Sequence, residues 1–473
     1  MKSLLFFTGL CLISLQAVAQ THTLQGTVTR GETPVEGVAV YAVEPGDGTT
    51  TDENGRYSLE LEEGEYNLVF SYGNQKTLKV KLDQDKTLDV DLSDVQEVLD
   101  EVFLSSVRVS AKSPITYSNL TNEEIEDRNL GQDIPVLMNY MPNVVTTSDA
   151  GAGVGYTGIR VRGSGPTSTN VTINGIPYND AESLGTFWVN LGDFASSVEN
   201  LQLQRGVGTS TNGAGAFGAS LNILTDGYSK EANAEIANSY GSFNTHKHTV
   251  KFSTGLIEDH WEFAGRASQI KSDGYIDRAS SDLKSYFLQG TYVDENTLVK
   301  AITFGGSERT YQAWYGIDAE TLENDRTYNP AGVYTDDEGN TKFYDNQTDN
   351  YKQDHYQLLW NQEYNKNWSS NLAFHYTYGR GYYEEYKEDA TLNEFGLENF
   401  QADGEEVTTS DLVGTKWLDN HFYGSVFSLN YQDQDWGVIV GGGWNRYIGD
   451  HFGDVIYTRF ARNNDPYEPY YEN

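Results

Sequence analysis

Cysteine is almost absent from this sequence: the only one, Cys11, sits inside an apolar leader. Disulfide stapling of the mature chain is therefore excluded. Basic residues are also scarce, and 32 Lys and Arg against 69 Asp and Glu leave a net charge of −37. Nucleic-acid binding needs a basic surface and is excluded on that ground; the acidity reads instead as solubility of long loops. No stretch approaches the roughly 18 apolar residues of a membrane helix. That leaves membrane barrels open, because alternating strands escape hydropathy averaging. Nothing resembles a catalytic constellation, so no enzyme and no cofactor are expected.

What is present begins with an export signal. Lys2 gives a positive start, Leu4 to Leu15 an apolar stretch, and Ala17-Val-Ala19 a cleavage pattern. Cys11 follows Leu10 rather than a small residue, which argues against lipidation. A large exported chain without disulfides suits a bacterial envelope. Aromatic residues make up 13% of the chain, with 33 Tyr, and concentrate after residue 230. Gly213-Ala-Gly-Ala-Phe-Gly218 spells G-x-G-x-x-G. It lies between two alternating segments, 198–206 and 219–225, and not before a helix, so it is no dinucleotide fingerprint.

After the signal at 1–19, residues 20–93 alternate in short runs separated by turn clusters, as in a small all-β unit. Asp52-Glu-Asn-Gly55 reads as a hairpin turn, because the other ligands of a calcium loop are missing. With Gln25-Gly-Thr-Val28, Pro34-Val-Glu-Gly-Val38, Thr51 to Tyr57 and Gly64-Glu-Tyr66, the unit resembles the carboxypeptidase regulatory-like domain, a β-sandwich accessory module. Residues 94–112 form a linker in which acidic residues lead into an apolar, β-branched run. The run fits an ordinary edge strand, or a peptide that adds as a strand to a partner's sheet.

Residues 113–228 read as a mixed α+β domain. Thr121-Asn-Glu-Glu opens a helix with a capping box, a second helix covers 133–140, and strands with glycine-rich connections follow. From 229 to 473 hairpins dominate. Short turns at 258–259, 294–296, 365–367 and 433–435 alternate with long connections at 271–284, 306–354 and 382–423. Tight turns at one end and long loops at the other characterise outer-membrane barrels. The strands alternate accordingly, Phe427, Leu429 and Tyr431 against Ser428 and Asn430. Trp261, Trp368 and Trp436 stand at strand ends, as in an interfacial girdle. About nine strands are expected before the chain ends in 466–473, which reads as loop. An open sheet in lipid is not viable, so the sequence reads as incomplete.

Gly158-Ile-Arg-Val-Arg-Gly163, Val171-Thr-Ile-Asn-Gly-Ile-Pro177 and 197–206 running into 213–225 resemble, in order and spacing, the plug of the TonB-dependent outer-membrane receptors. The front module is similar to Bacteroidetes members of that family. The resemblance implies a mainly β fold: N-terminal β-sandwich, α+β plug, and part of a transmembrane antiparallel β-barrel, about nine of 22 strands. It implies a Gram-negative outer membrane location with the N-terminal domain in the periplasm. Its function is active transport of a ferric siderophore or similar metal chelate, with oligosaccharides or another bulky nutrient as the alternative. A signal-transducing receptor or a passive porin is a further alternative. Partners are TonB with its inner-membrane energising complex, outer-membrane lipid, an extracellular ligand and, left open, a surface lipoprotein.

The TonB-binding peptide is placed at Glu101, Val102, Phe103, Leu104, Val107 and Val109, with Ser105 and Ser106 interrupting the register. Arg160, Arg162 and Arg205 face barrel carboxylates or solvent. Ligand candidates are Tyr178, Asp180, Phe187 and Trp188 on a plug loop, and Trp314 and Tyr315 in a long extracellular loop; Phe187 and Trp188 also suit packing on the wall. His246 and His248 share a strand face but lack a third ligand nearby, so no metal site is expected.

Overall fold

The computed structural model describes residues 21–31, 33–43, 48–72, 74–92, 108–109, 115–208, 217–433, 436–460 and 469–473. Two compact units divide at Glu101 and Val102.

The first unit is a sandwich of two small sheets. One pairs Thr21–Arg30 with Arg56–Glu62; the other orders Gly48–Thr50, Ala39–Ala42, Gly64–Tyr72 and Asn74–Leu82. Alternation in Arg56–Glu62 sends Tyr57, Leu59 and Leu61 inward beside Leu24, Val40, Leu68 and Phe70. The Asp52 segment is a turn. Its carboxylate accepts from the amides of Asn54 and Arg56, both at 2.9 Å, and Gly55 supplies a φ of +71°.

In the second unit, residues 115–225 form the plug. A five-stranded sheet orders Tyr117–Thr121, Val198–Arg205, Ala219–Thr225, Thr169–Ile173 and Ile176–Pro177. Thr121 caps the helix Asn122–Glu126 with both bonds of the expected capping box. The second helix is shorter than the pattern predicts, Ile134–Leu137. Every residue of Thr169–Ile173 is buried. Gly218 permits close packing inside the plug: a Cβ there would lie 2.6 Å from Ser164 Cβ and 2.8 Å from Ser168 O. Gly213 and Gly215 lie outside the described residues.

Around the plug runs an antiparallel sheet in which each strand pairs with the next in sequence. Its nine long strands are Asn233–Tyr240, His246–Ser253, Trp261–Ser272, Ser281–Val293, Thr297–Tyr311, Thr348–Asn365, Trp368–Thr391, Thr409–Gln432 and Gly437–Thr458. The tail expected as loop contributes a short tenth, Tyr471–Glu472, paired with Phe452 and Gly453. The strands also climb further than the sequence suggests: 384–387 pair with 412–415, so the connections shrink to 312–347 and 392–408. The amphipathicity is inverted relative to a water-soluble protein. Ser428 and Asn430 are buried while Phe427 and Leu429 are about half exposed. Lipid in place of water outside explains that sign. Trp261, Trp368 and Trp436 lie exposed near the short turns.

Candidate functional site

Plug and wall meet through one continuous core: the Phe194 ring of the plug lies tilted at 46° against Phe304 of the wall, centroids 4.9 Å apart. On the side of the long loops this core opens into a cavity of about 260 Å³. Plug loop 177–183, Tyr156 and Phe187 form one side, and the inner faces of five strands form the other. Register sets that wall row by row. Glu308, Tyr351, Gly381 and Leu418 are successive cross-strand partners, as are Gln353, Gly379 and Asn420, and His355, Thr377, Phe422 and Tyr447. The period of two along each strand brings these rows onto one face.

The glycines shape the cavity. A Cβ on Gly379 would lie 2.0 Å from the Tyr351 hydroxyl, so the missing side chain makes room for that ring. Tyr178 sits over His355 with ring centroids 5.4 Å apart, and its hydroxyl donates to Gln353 at 3.4 Å. Asp180 folds its own loop by accepting from Ser183 N at 2.7 Å. Glu182 ties the loop to the wall, accepting from Tyr447 Oη at 3.1 Å, with His451 Nε2 at 2.9 Å. Tyr156 bonds Asp349. Burial first, then the charges of Glu308 and Asp349, push its phenol well above the usual range, so it stays a donor.

Tyr178, Asp180 and Phe187, expected as ligand contacts, all line this cavity. Trp188 does not join them: it is 2% exposed and packs in the plug–barrel core. Trp314 stands beside the cavity, its ring edge-on to Tyr156 at 5.2 Å, while Tyr315 donates to Glu385 at 2.9 Å. Tyr351, Tyr382, Tyr383, Tyr447 and Glu308 were not anticipated. The signal lay in alternation, since Tyr351, Gln353 and His355 point one way and Tyr356, Leu358 and Trp360 carry the exposed apolar surface.

Of the two readings open for Arg160, Arg162 and Arg205, barrel carboxylates or solvent, no wall carboxylate meets them among the described residues. Arg205 bonds Pro142 O and Ser118 Oγ within the plug, and Arg160 and Arg162 are exposed. In the plug-to-wall ion pairs the carboxylate belongs to the plug and the cations to the wall. Asp193 Oδ1 lies 3.0 Å from Lys247 Nζ, its Oδ2 lies 3.5 Å from Arg266, and Thr249 and Ser268 donate to it at 2.6 Å. Asp226, at the plug's exit, pairs with Lys251 at 2.8 Å. These lumen-facing cations alternate with outward residues, which is why His246 and His248 point away from Lys247's side. His248 bonds Asn238, and no group of three or more metal-ligating residues occurs among the described residues.

Of the residues expected to form a TonB-binding peptide, Glu101, Val102, Phe103, Leu104 and Val107 lie outside the described residues. Val109 is buried, and the Gln202 side-chain amide imitates a strand partner for it. Val109 N donates to Gln202 Oε1 at 2.9 Å, and Gln202 Nε2 donates to Val109 O at 3.1 Å.

Comparison with known proteins agrees with this architecture. Residues 24–104 match the CarboxypepD_reg-like domain, and 110–220 match the TonB-dependent Receptor Plug Domain. A probable TonB-dependent siderophore receptor, PirA, of Acinetobacter baumannii is 26% identical over 263 residues, covering 50% of this chain and 32% of the relative. The ferrienterobactin receptor of Escherichia coli is 23% identical over 292 residues, 55% of this chain and 38% of the relative. The chain therefore matches about a third of the length of these curated relatives. Among solved structures, the siderophore receptor PiuA of Acinetobacter baumannii superposes with a TM-score of 0.53 at 14% identity, covering 75% of this chain and 50% of that one. Residues 110–220 are thus a TonB-dependent receptor plug domain, seated within the wall of a lipid-facing sheet, and the chain is similar along its matched length to TonB-dependent siderophore receptors.

Proposed function

We propose that the protein carries out TonB-dependent active uptake of a scarce, bulky nutrient across the outer membrane. A ferric siderophore or similar metal chelate is the substrate, and TonB with its inner-membrane energising complex is the driving partner. The observation that carries this reading is the cavity between the plug loop 177–183 and the tyrosine-rich inner wall, on the long-loop side. The coupling peptide ends on the plug sheet through Val109, so a ligand at the apex and a partner at the peptide act on one domain. Relatives named as siderophore receptors support the substrate class. Deleting Glu101 to Val109 from the full-length receptor is expected to abolish uptake and leave surface binding intact; unchanged uptake defeats the reading.

Oligosaccharide uptake is the second reading. It is favoured by one feature, the tyrosine faces of Tyr351, Tyr382 and Tyr383 along the cavity, which suit the apolar faces of sugar rings. A surface lipoprotein would then be the added partner. Growth of a deletion strain under iron limitation and on glycans separates the two.

A further inference from the structure

The cavity is lined by four carboxylates, Asp180, Glu182, Glu308 and Asp349, and by one lysine, Lys416. That ammonium already sits 5.5 Å from the Tyr383 ring centroid. Glu308 and Asp349 occupy neighbouring positions of the wall: Asp349 pairs with Thr310, two residues along from Glu308 on the same face. Glu308 is 6% exposed and, among the described residues, accepts one long bond, 3.4 Å, from Thr310 Oγ1; Asp349 accepts from Tyr156. Among the described residues neither carboxylate meets a cation. Two adjacent carboxylates withdrawn from water cannot both ionise unaided, and a bound positive charge lets both do so.

The approach to the cavity has the same sign. Loop 312–347 carries eight carboxylates against two cations, Arg326 and Lys342, and loop 392–408 carries five against none. Such a mouth repels anions before contact and concentrates cations. The charge of an iron chelate depends on its donors. Ferric iron held by three catecholates is a trianion, held by three hydroxamates it is neutral, and with a pendant ammonium it is a monocation.

We propose that this receptor selects a neutral or cationic metal chelate, of the hydroxamate kind, and rejects polyanionic chelates. The inference rests on the metal-chelate reading above and adds the charge class of the ligand.

The test uses the full-length receptor in detergent and three ferric probes: a tris-catecholate, a neutral trihydroxamate and an ammonium-bearing trihydroxamate. The two hydroxamates are expected to bind at least about tenfold tighter than the catecholate at low salt, the gap shrinking as salt screens the loops. Glu308→Gln with Asp349→Asn should narrow the gap further, weakening the cation and strengthening the anion. Should that variant fail to fold, the wild-type ranking and its salt dependence still decide. A catecholate that binds as tightly as the hydroxamates overturns the inference and leaves chelate uptake standing. If none of the three binds while an oligosaccharide does, the chelate reading itself fails, and the inference with it.

Discussion

Lys247 on the barrel wall and Asp193 on the plug form a fully buried ion pair, with Nζ 3.0 Å from Oδ1 and side chains 4% and 0% exposed. Asp193 adopts a left-handed backbone, φ +51°, which Asp tolerates better than most residues. That conformation aims its carboxylate at Lys247, Arg266, Thr249 and Ser268 together. Removing one partner of a buried pair strands the other, at a cost of about 3–5 kcal/mol. Asp193→Ala should therefore loosen the plug by about that amount, measured by denaturant unfolding or protease access to the plug. Asp193→Leu combined with Lys247→Met should recover part of the loss; a strictly additive double variant would show that the two residues do not interact.

The same carboxylate gives a pH dependence. Burial opposes its ionisation, but Arg266 and Lys247 overcome that and hold its pKa down to about 2. A depressed pKa stabilises the folded form above the unfolded carboxyl's value, about 3.9. The contribution, about 2 kcal/mol, is thus complete above roughly pH 4 and disappears as pH falls through about 2. Plug docking followed by tryptophan fluorescence should weaken in that window, and the acid-induced change should be absent in Asp193→Asn.

Gly379→Ala probes the wall without touching charge. The new methyl falls on the Tyr351 hydroxyl, the movable end of a side chain, so the ring is displaced while the strand pairing survives. Ligand affinity is expected to drop by about tenfold with little change in thermal stability. Equal affinity would remove Tyr351 from the binding surface.

Gln202→Ala should free Val109. The amide supplies both hydrogen bonds to that residue's backbone, and alanine supplies neither. Hydrogen exchange at the Val109 amide should accelerate by at least about tenfold, with a smaller change on the plug strands, where Gln202 also bonds Asn119 and Gln204.

The sequence carried the architecture further than it carried the site. Turn-loop asymmetry and the alternation of Phe427 and Leu429 with Ser428 and Asn430 reveal the barrel, because both are local patterns. Tyr178, Asp180 and Phe187 were legible because a loop after a plug strand has one place to go. Trp188 stayed open between ligand and wall because a large aromatic in an apex loop reads alike in both; the 3-10 turn Trp188–Leu191 buries it. The plug-to-wall ion pairs were invisible for a different reason. Asp193 and Lys247 are far apart in sequence, and each alone is an ordinary charged residue. Glu308 and Tyr351 became neighbours through register across a 36-residue loop, 312–347, which no local pattern encodes.

The tallest hairpin, Trp368–Thr391 with Thr409–Gln432, has 24 residues in each arm. At about 3.4 Å per residue and a tilt near 40°, each arm rises roughly 60 Å, against an apolar band of about 25 Å. Gly379 to Tyr383, the cavity's row, then stand roughly 30 Å above the Trp368 girdle, level with the outer lipid surface. The arms continue as a collar about 20 Å higher. In the proposed uptake, recognition is thereby insulated from the bilayer: its chemistry sits where changes in membrane thickness or acyl composition do not reach, and a ligand's first encounter is with protein rather than lipid.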